Sequence, residues 1–188
     1  MSLPEPLEPA EQQDAGSPHG PVLSTELLTR FLSSDDHLHF ADDGTPRLSV
    51  AALPDDDLKN DRRYLSVQRR DHTVAPEMLA AARRRNPATA WPDDPVVANV
   101  ACDALRKLLS HPHPAEPRRR EVLVVARPLQ PGDKDFPNDA HAGVVRAPPY
   151  PASPDKGRLP RLMLRSRMAA LFEVVHLTSG RSPGHRAG

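Results

Sequence analysis

Twenty-three of the 188 residues are proline, more than twice the usual share of about 5%. A proline has no amide to donate and a fixed φ, so it is confined to loops, strand edges, first helical turns and tails. Regular elements must therefore fit between prolines, in short pieces. Only 4% of residues are aromatic. The core has to be assembled from Val, Leu and Ala with few large anchors. A small, loop-rich domain is the outcome these two facts allow, and 188 residues suit one such domain with tails.

Charge is sorted along the chain. Residues 1–57 hold twelve acidic side chains against two arginines, residues 58–155 sixteen basic against twelve acidic, and residues 156–188 seven basic against one glutamate. The overall neutrality thus conceals a run from net −10 through +4 to +6. Such sorting suits an acidic tail, a nucleic-acid partner, or ends that attract one another in the fold.

Residues 1–22 are rich in Pro, Glu and Gln and lack apolar periodicity, so they read as a disordered acidic arm. From Ser24, the spacing of Leu27, Leu28, Phe31 and Leu32 predicts a short helix. His37–Phe40, Asp42-Asp43-Gly44 and Arg47–Val50 predict a hairpin, with a D-G step at its turn. Tyr64–Gln68 reads as a strand, and Pro76 opens a helix that runs to Arg85. Residues 95–109 predict an amphipathic helix through Val97, Val100, Ala101, Ala104, Leu105 and Leu108. Glu121–Ala126 is a β-branched strand with Ala142–Arg146 as its partner, and proline-rich loops fill 128–138 and 147–160. Leu162–Leu177 predicts a last helix. The expected class is α+β: one domain over residues 23–178 with a short mixed sheet and three or four helices, then a flexible tail at 179–188.

The single cysteine, Cys102, excludes an internal disulfide framework and falls in an apolar stretch where burial leaves a thiol inert. No apolar run nears the roughly 20 residues of a membrane span, and the acidic start lacks a secretory pattern. A cytoplasmic, membrane-free protein is the expectation. Abundant Ala, Arg, Pro and Asp suggest a GC-rich bacterial genome.

Several constellations could carry chemistry. His37 and His39, beside Asp35 and Asp36, would share a face if both lay on a strand and could then ligate a divalent metal. The exposed face of a hairpin explains them as well. His111 and His113 sit in a proline-spaced linker. In the segment 133–144, Asp139 can orient His141, which then serves as base or ligand; local turn capping is the competing explanation. Ser66 has no Gly-x-Ser-x-Gly turn around it, and no Gly-rich phosphate loop exists. The clusters Arg83-Arg84-Arg85 and Arg118-Arg119-Arg120 offer phosphate contacts, though aromatics for stacking are scarce and Asp runs intervene.

Three pieces together resemble a pattern found in a group of small bacterial proteins without an assigned activity: Arg30–His37, Tyr64–Arg69 and Asn138–Ala142. The likeness spans about residues 28–146, transfers no catalytic role, and implies that His37, Ser66 and His141 belong to one domain and come together. The expected function is a non-catalytic protein-interaction module with a protein partner or a second copy. The alternatives are a metal-dependent hydrolase or nuclease built on His37, His39, Asp139 and His141, and nucleic-acid binding through the arginine clusters.

Overall fold

In the computed structural model, which describes residues 6–13, 16–60, 62–110, 117–129, 138–150 and 158–183, six strands form one antiparallel sheet. In chain order the strands are β1 (Leu27–Phe31), β2 (Leu38–Phe40), β3 (Pro46–Leu48), β4 (Leu65–Arg69), β5 (Val96–Ala101), β6 (Val122–Ala126), β7 (His141–Arg146) and β8 (Glu173–His176). The sheet order is β6-β7-β4-β1-β5-β8, and β2 pairs β3 in a separate hairpin. Three helices complete the domain: α1 (Ala75–Arg85), α2 (Cys102–Arg106) and α3 (Arg158–Ala169). The α+β class stands, with more sheet than the sequence suggested.

Strand alternation divides the sheet into two unlike faces. On one face Leu28, Leu65, Val67, Ala98, Val100, Val122, Val124, Ala142, Val144 and Val174 form the main core. Leu164, Met168 and Ala169 of α3, with Cys102 and Leu105 of α2, close over it. Each fully buried Leu or Met there is worth about 1.5–3 kcal/mol of transfer free energy. The other face carries two smaller clusters at its ends. One joins Met78, Leu79 and Ala82 of α1 to Trp91, Val97, Val175 and Leu177; the other joins Leu123, Val145 and Ala147. Between them the middle of this face is polar.

Three expected helices are corrected. Residues 27–31 form the central strand β1, paired with β4 on one side and β5 on the other. Residues 96–101 are strand β5, and only Cys102–Arg106 turn into helix. The last helix ends at Ala169, and Glu173–His176 returns as edge strand β8. The cause is common to all three. Short apolar runs carry spacings that imitate a helical stripe, and periodicity alone does not separate the two. The hairpin, β4, α1 and the β6–β7 pair lie where the sequence places them.

The acidic N-terminal segment, expected to be free, is locked onto the domain in its described part. Glu11 is fully buried, accepting from Arg106 Nε at 2.9 Å, Arg120 at 2.9 Å and the Val124 amide at 2.8 Å. Arg106, itself at zero exposure, also donates to Ser24 Oγ and the Val22 carbonyl. A second buried arginine, Arg69, pairs with Glu26 through two bonds of 2.7 Å and reaches the carbonyls of Gly20 and Pro21. Burial alone would raise the Glu26 pKa, but the hydrogen bonds from Arg69 and from the Leu23 amide carry it below its ordinary value. Asp55 is held lower in the same sense by Arg161 of α3. Charges sorted in sequence are therefore paired in space. Among the described residues no helix is long and apolar enough to cross a membrane. The loop cores at 130–137 and 151–157, the His111/His113 pair and the last five residues lie outside the described residues.

Candidate functional site

The polar middle of the second face originates in a short ladder. β1 and β4 share only two register pairs, Leu28↔Arg69 and Thr29↔Gln68. Beyond them Arg30, Phe31, Ser66 and Val67 line a cleft of about 330 Å³, walled by α1 and by Leu129 and Asn138. Arg30 bridges the divergence, donating from Nε to the Ala52 carbonyl at 2.8 Å and from its terminal nitrogen to the Ser66 carbonyl at 3.1 Å. A buried acceptor left by the missing ladder is thereby satisfied. Burial lowers the Arg30 guanidinium to about 10, against the pull of nearby Asp57, whose own carboxyl burial raises.

Alternation along β4 sends Leu65 and Val67 to the main core and Ser66 and Gln68 to the cleft. Ser66 lies opposite Gly143 and Gln68 opposite His141, so Ser66 and His141 are diagonal neighbours on one face. Their side chains meet: Ser66 Oγ to His141 Nε2 is 2.7 Å. The other ring nitrogen, Nδ1, lies 2.7 Å from the Arg127 carbonyl, while the Arg127 amide donates back to the His141 carbonyl. Arg85, in the last turn of α1, donates to Ser66 Oγ at 2.5 Å.

These partners assign the protons. A carbonyl only accepts, so His141 Nδ1 carries hydrogen, and in the neutral ring Nε2 then presents its lone pair. A guanidinium only donates, so Ser66 Oγ accepts from Arg85 and gives its own hydrogen to Nε2. Around the pair the packing is close. His141 has zero exposure, and the Tyr64 ring stands edge-on to it at 5.6 Å with Arg127 over the Tyr64 face at 4.8 Å. Gly143 makes room for Tyr64: a Cβ there would lie 3.0 Å from Tyr64 Cβ, Cγ and Cδ2. Asn138 donates to Gln68 Oε1 at 2.9 Å, and Thr29 donates to Asn99 Oδ1 at 2.7 Å.

Of the sequence candidates, His141 lies at this cleft and Asp139 does not orient it. Asp139 is exposed in the turn before β7, beside a second cleft with His19 and His72, and the Arg127 carbonyl takes the orienting role instead. A carbonyl fixes the ring without placing a full negative charge against it. His37 ends a 3-10 turn before β2 begins at Leu38, so it shares no strand face with His39. Burial and then Arg30 push its pKa down. His39 is exposed opposite Arg47. No group of three or more metal-ligating side chains comes together among the described residues, so the four-residue metal constellation does not assemble. The arginine clusters are divided: Arg83 pairs with Asp93, Arg85 bonds Ser66, Arg118 bonds the Ser110 carbonyl, Arg120 pairs with Glu11, and Arg84 lines the second cleft. The Arg119 amide donates to Ser110 Oγ. Cys102 is buried, and burial pushes its thiol up to about 12.

Sequence reasoning gave two residues, Ser66 and Arg85, no role at this cleft. Ser66 lacked a nucleophile-elbow motif, and Arg85 was one arginine of a surface run. The available signal was the polar–apolar alternation of Leu65–Arg69, which put a serine and a glutamine on one face of a buried strand. Comparison of the chain with family models, with curated proteins and with solved structures gives no match.

Proposed function

We propose that this protein binds a small anionic ligand in the cleft between β1, β4 and α1. The observation that carries the reading is the opening of the β1–β4 ladder into a cleft of about 330 Å³ lined by two arginines and by hydrogen-bonding side chains. Its volume falls at the lower end of the range of small-molecule sites, about 300–1,000 Å³. Among the described lining residues, Arg85 at the rim and Arg30 at the floor outweigh the one carboxylate, Asp57, and favour negative charge. Ser66, Gln68 and Asn138 supply orienting groups, and Phe31 and Trp91 an apolar wall. Binding is tested by thermal denaturation against a panel of acetate, inorganic phosphate and citrate. The expected result is a saturable rise in melting temperature for at least one anion, lost in Arg85→Ala. No rise for any anion, or an equal rise in Arg85→Ala, contradicts the reading.

The partner-binding reading rests on a different surface. Leu159, Leu162 and Met163 on α3 are 66%, 46% and 42% exposed at helical spacing, an apolar stripe suited to a second copy. Analytical ultracentrifugation of the intact chain and of Leu162→Glu tests it. A dimer abolished by the substitution supports self-association, and a monomer throughout contradicts it.

A further inference from the structure

We infer that Ser66 is a nucleophile and His141 its general base, so that the cleft reacts with an electrophilic acyl or phosphoryl group. The inference rests on the reading of this cleft as a ligand site and adds a reaction to it. Four observations converge. The Oγ–Nε2 separation of 2.7 Å is the contact a proton transfer needs. The Arg127 carbonyl, 2.7 Å from Nδ1, selects the tautomer that leaves Nε2 basic. Arg85 donates to the same Oγ, and toward the neutral imidazole Oγ gives its own hydrogen to Nε2. Ser66 lines the open cleft, while His141 is fully buried behind it and walled by Tyr64.

The step balances on these atoms. Ser66 Oγ forms a bond to the acyl carbon or phosphorus while its O–H hydrogen passes to Nε2. The leaving group departs with the bonding electron pair. If that group is an alkoxide, it takes the proton back from His141, and a water activated by the restored imidazole cleaves the ester formed on Ser66. Arg85, bonded to the reacting oxygen, stabilises the negative charge that develops at the reacting centre. The Arg127 carbonyl is a positioning group that holds the ring by its dipole. Esters with good leaving groups are the matching substrate class, ahead of amides.

Diisopropyl fluorophosphate is the direct probe, since attack by Oγ expels fluoride and leaves a stable ester. With the intact chain, mass spectrometry should show one adduct mapped to Ser66. The adduct should be absent in Ser66→Ala and should form about 100-fold more slowly in His141→Gln, the scale of a lost general base. Because His141 is buried, a second variant does not depend on replacing it. Ser66→Cys should react with iodoacetamide well below the ordinary thiol pKa of about 8.5, whereas Cys102 in the same molecule stays unmodified. Absence of any adduct on Ser66, an adduct that persists in Ser66→Ala, or a Ser66→Cys thiol that reacts only as an ordinary thiol would each overturn the inference. The anion-binding reading would survive such a result if the thermal shift and its dependence on Arg85 held.

Discussion

Two groups of arginines in this protein teach opposite lessons. Arg69 and Arg106 have zero exposure, and each donates to a carboxylate and to backbone carbonyls of the N-terminal segment. Arg30 and Arg85 line an open cleft, where Arg30 donates to two carbonyls and Arg85 to a serine hydroxyl. A buried cation surrounded by matched acceptors has no capacity left for a ligand, so its role is to hold the fold. A cation lining a solvent-open cleft can be reached by an incoming anion. Residue type is the same in both regions. Access to the open cleft separates them.

The largest expected effect lies in the first region. Glu11→Ala leaves Arg106 buried without its carboxylate and should cost about 3–5 kcal/mol in urea unfolding. Adding Arg106→Met to that variant should restore part of the loss, because the uncompensated charge is gone. A cost below about 1 kcal/mol for Glu11→Ala would show that the arm is not locked and would dissolve the comparison.

Gly143→Ala comes next. The added methyl meets the Tyr64 side chain at 3.0 Å, and overpacking of this kind costs about 1–3 kcal/mol. It should also slow any labelling of Ser66, since Tyr64 packs against His141. Full stability together with full reactivity would mean that Tyr64 has no part in shaping the cleft.

Acid should weaken the locked region specifically. The folded-state pKa values of Glu26 and Asp55 both lie below their ordinary values, so their contribution is complete above about pH 4 and is lost as pH falls through the folded values. Glu26→Gln should therefore differ most from the parent near neutral pH, and the two stability curves should approach each other below about pH 4. A pH-independent gap would contradict the assignment. The smallest expected effect is that of Ser66→Ala, which removes a hydroxyl at the edge of the cleft and should cost no more than about 1.5 kcal/mol. A much larger loss would make Ser66 a structural residue and move it into the first group.

How much of this was legible beforehand follows from local physics. The D-G turn at Asp43-Gly44, Pro76 at the start of α1 and the β-branched run of β6 each carry their own signal, and each element formed where expected. β1, β5 and β8 were read as helical because short apolar runs carry spacings that periodicity alone does not separate from a helical stripe. The arm was read as free because its composition is that of a disordered segment; the buried arginines that hold it lie 43 and 95 residues away in sequence from Glu26 and Glu11, respectively. Charge sorting hinted at such pairing without specifying a partner. At the cleft, His141 was legible as a histidine at the head of an apolar strand. Its partner Ser66 was grouped with it only through the resemblance, not through any local signal. Ser66 and His141 are 75 residues apart, and only the β4–β7 register makes them neighbours.

The most direct test of the central claim is long-range proton–nitrogen NMR of the His141 imidazole in the free protein at neutral pH. The expected signature is a neutral ring protonated at Nδ1, with Nε2 accepting from Ser66 and its nitrogen shift altered in Ser66→Ala. A ring protonated at Nε2, or an Nδ1 tautomer indifferent to removal of the Ser66 hydroxyl, would contradict the account.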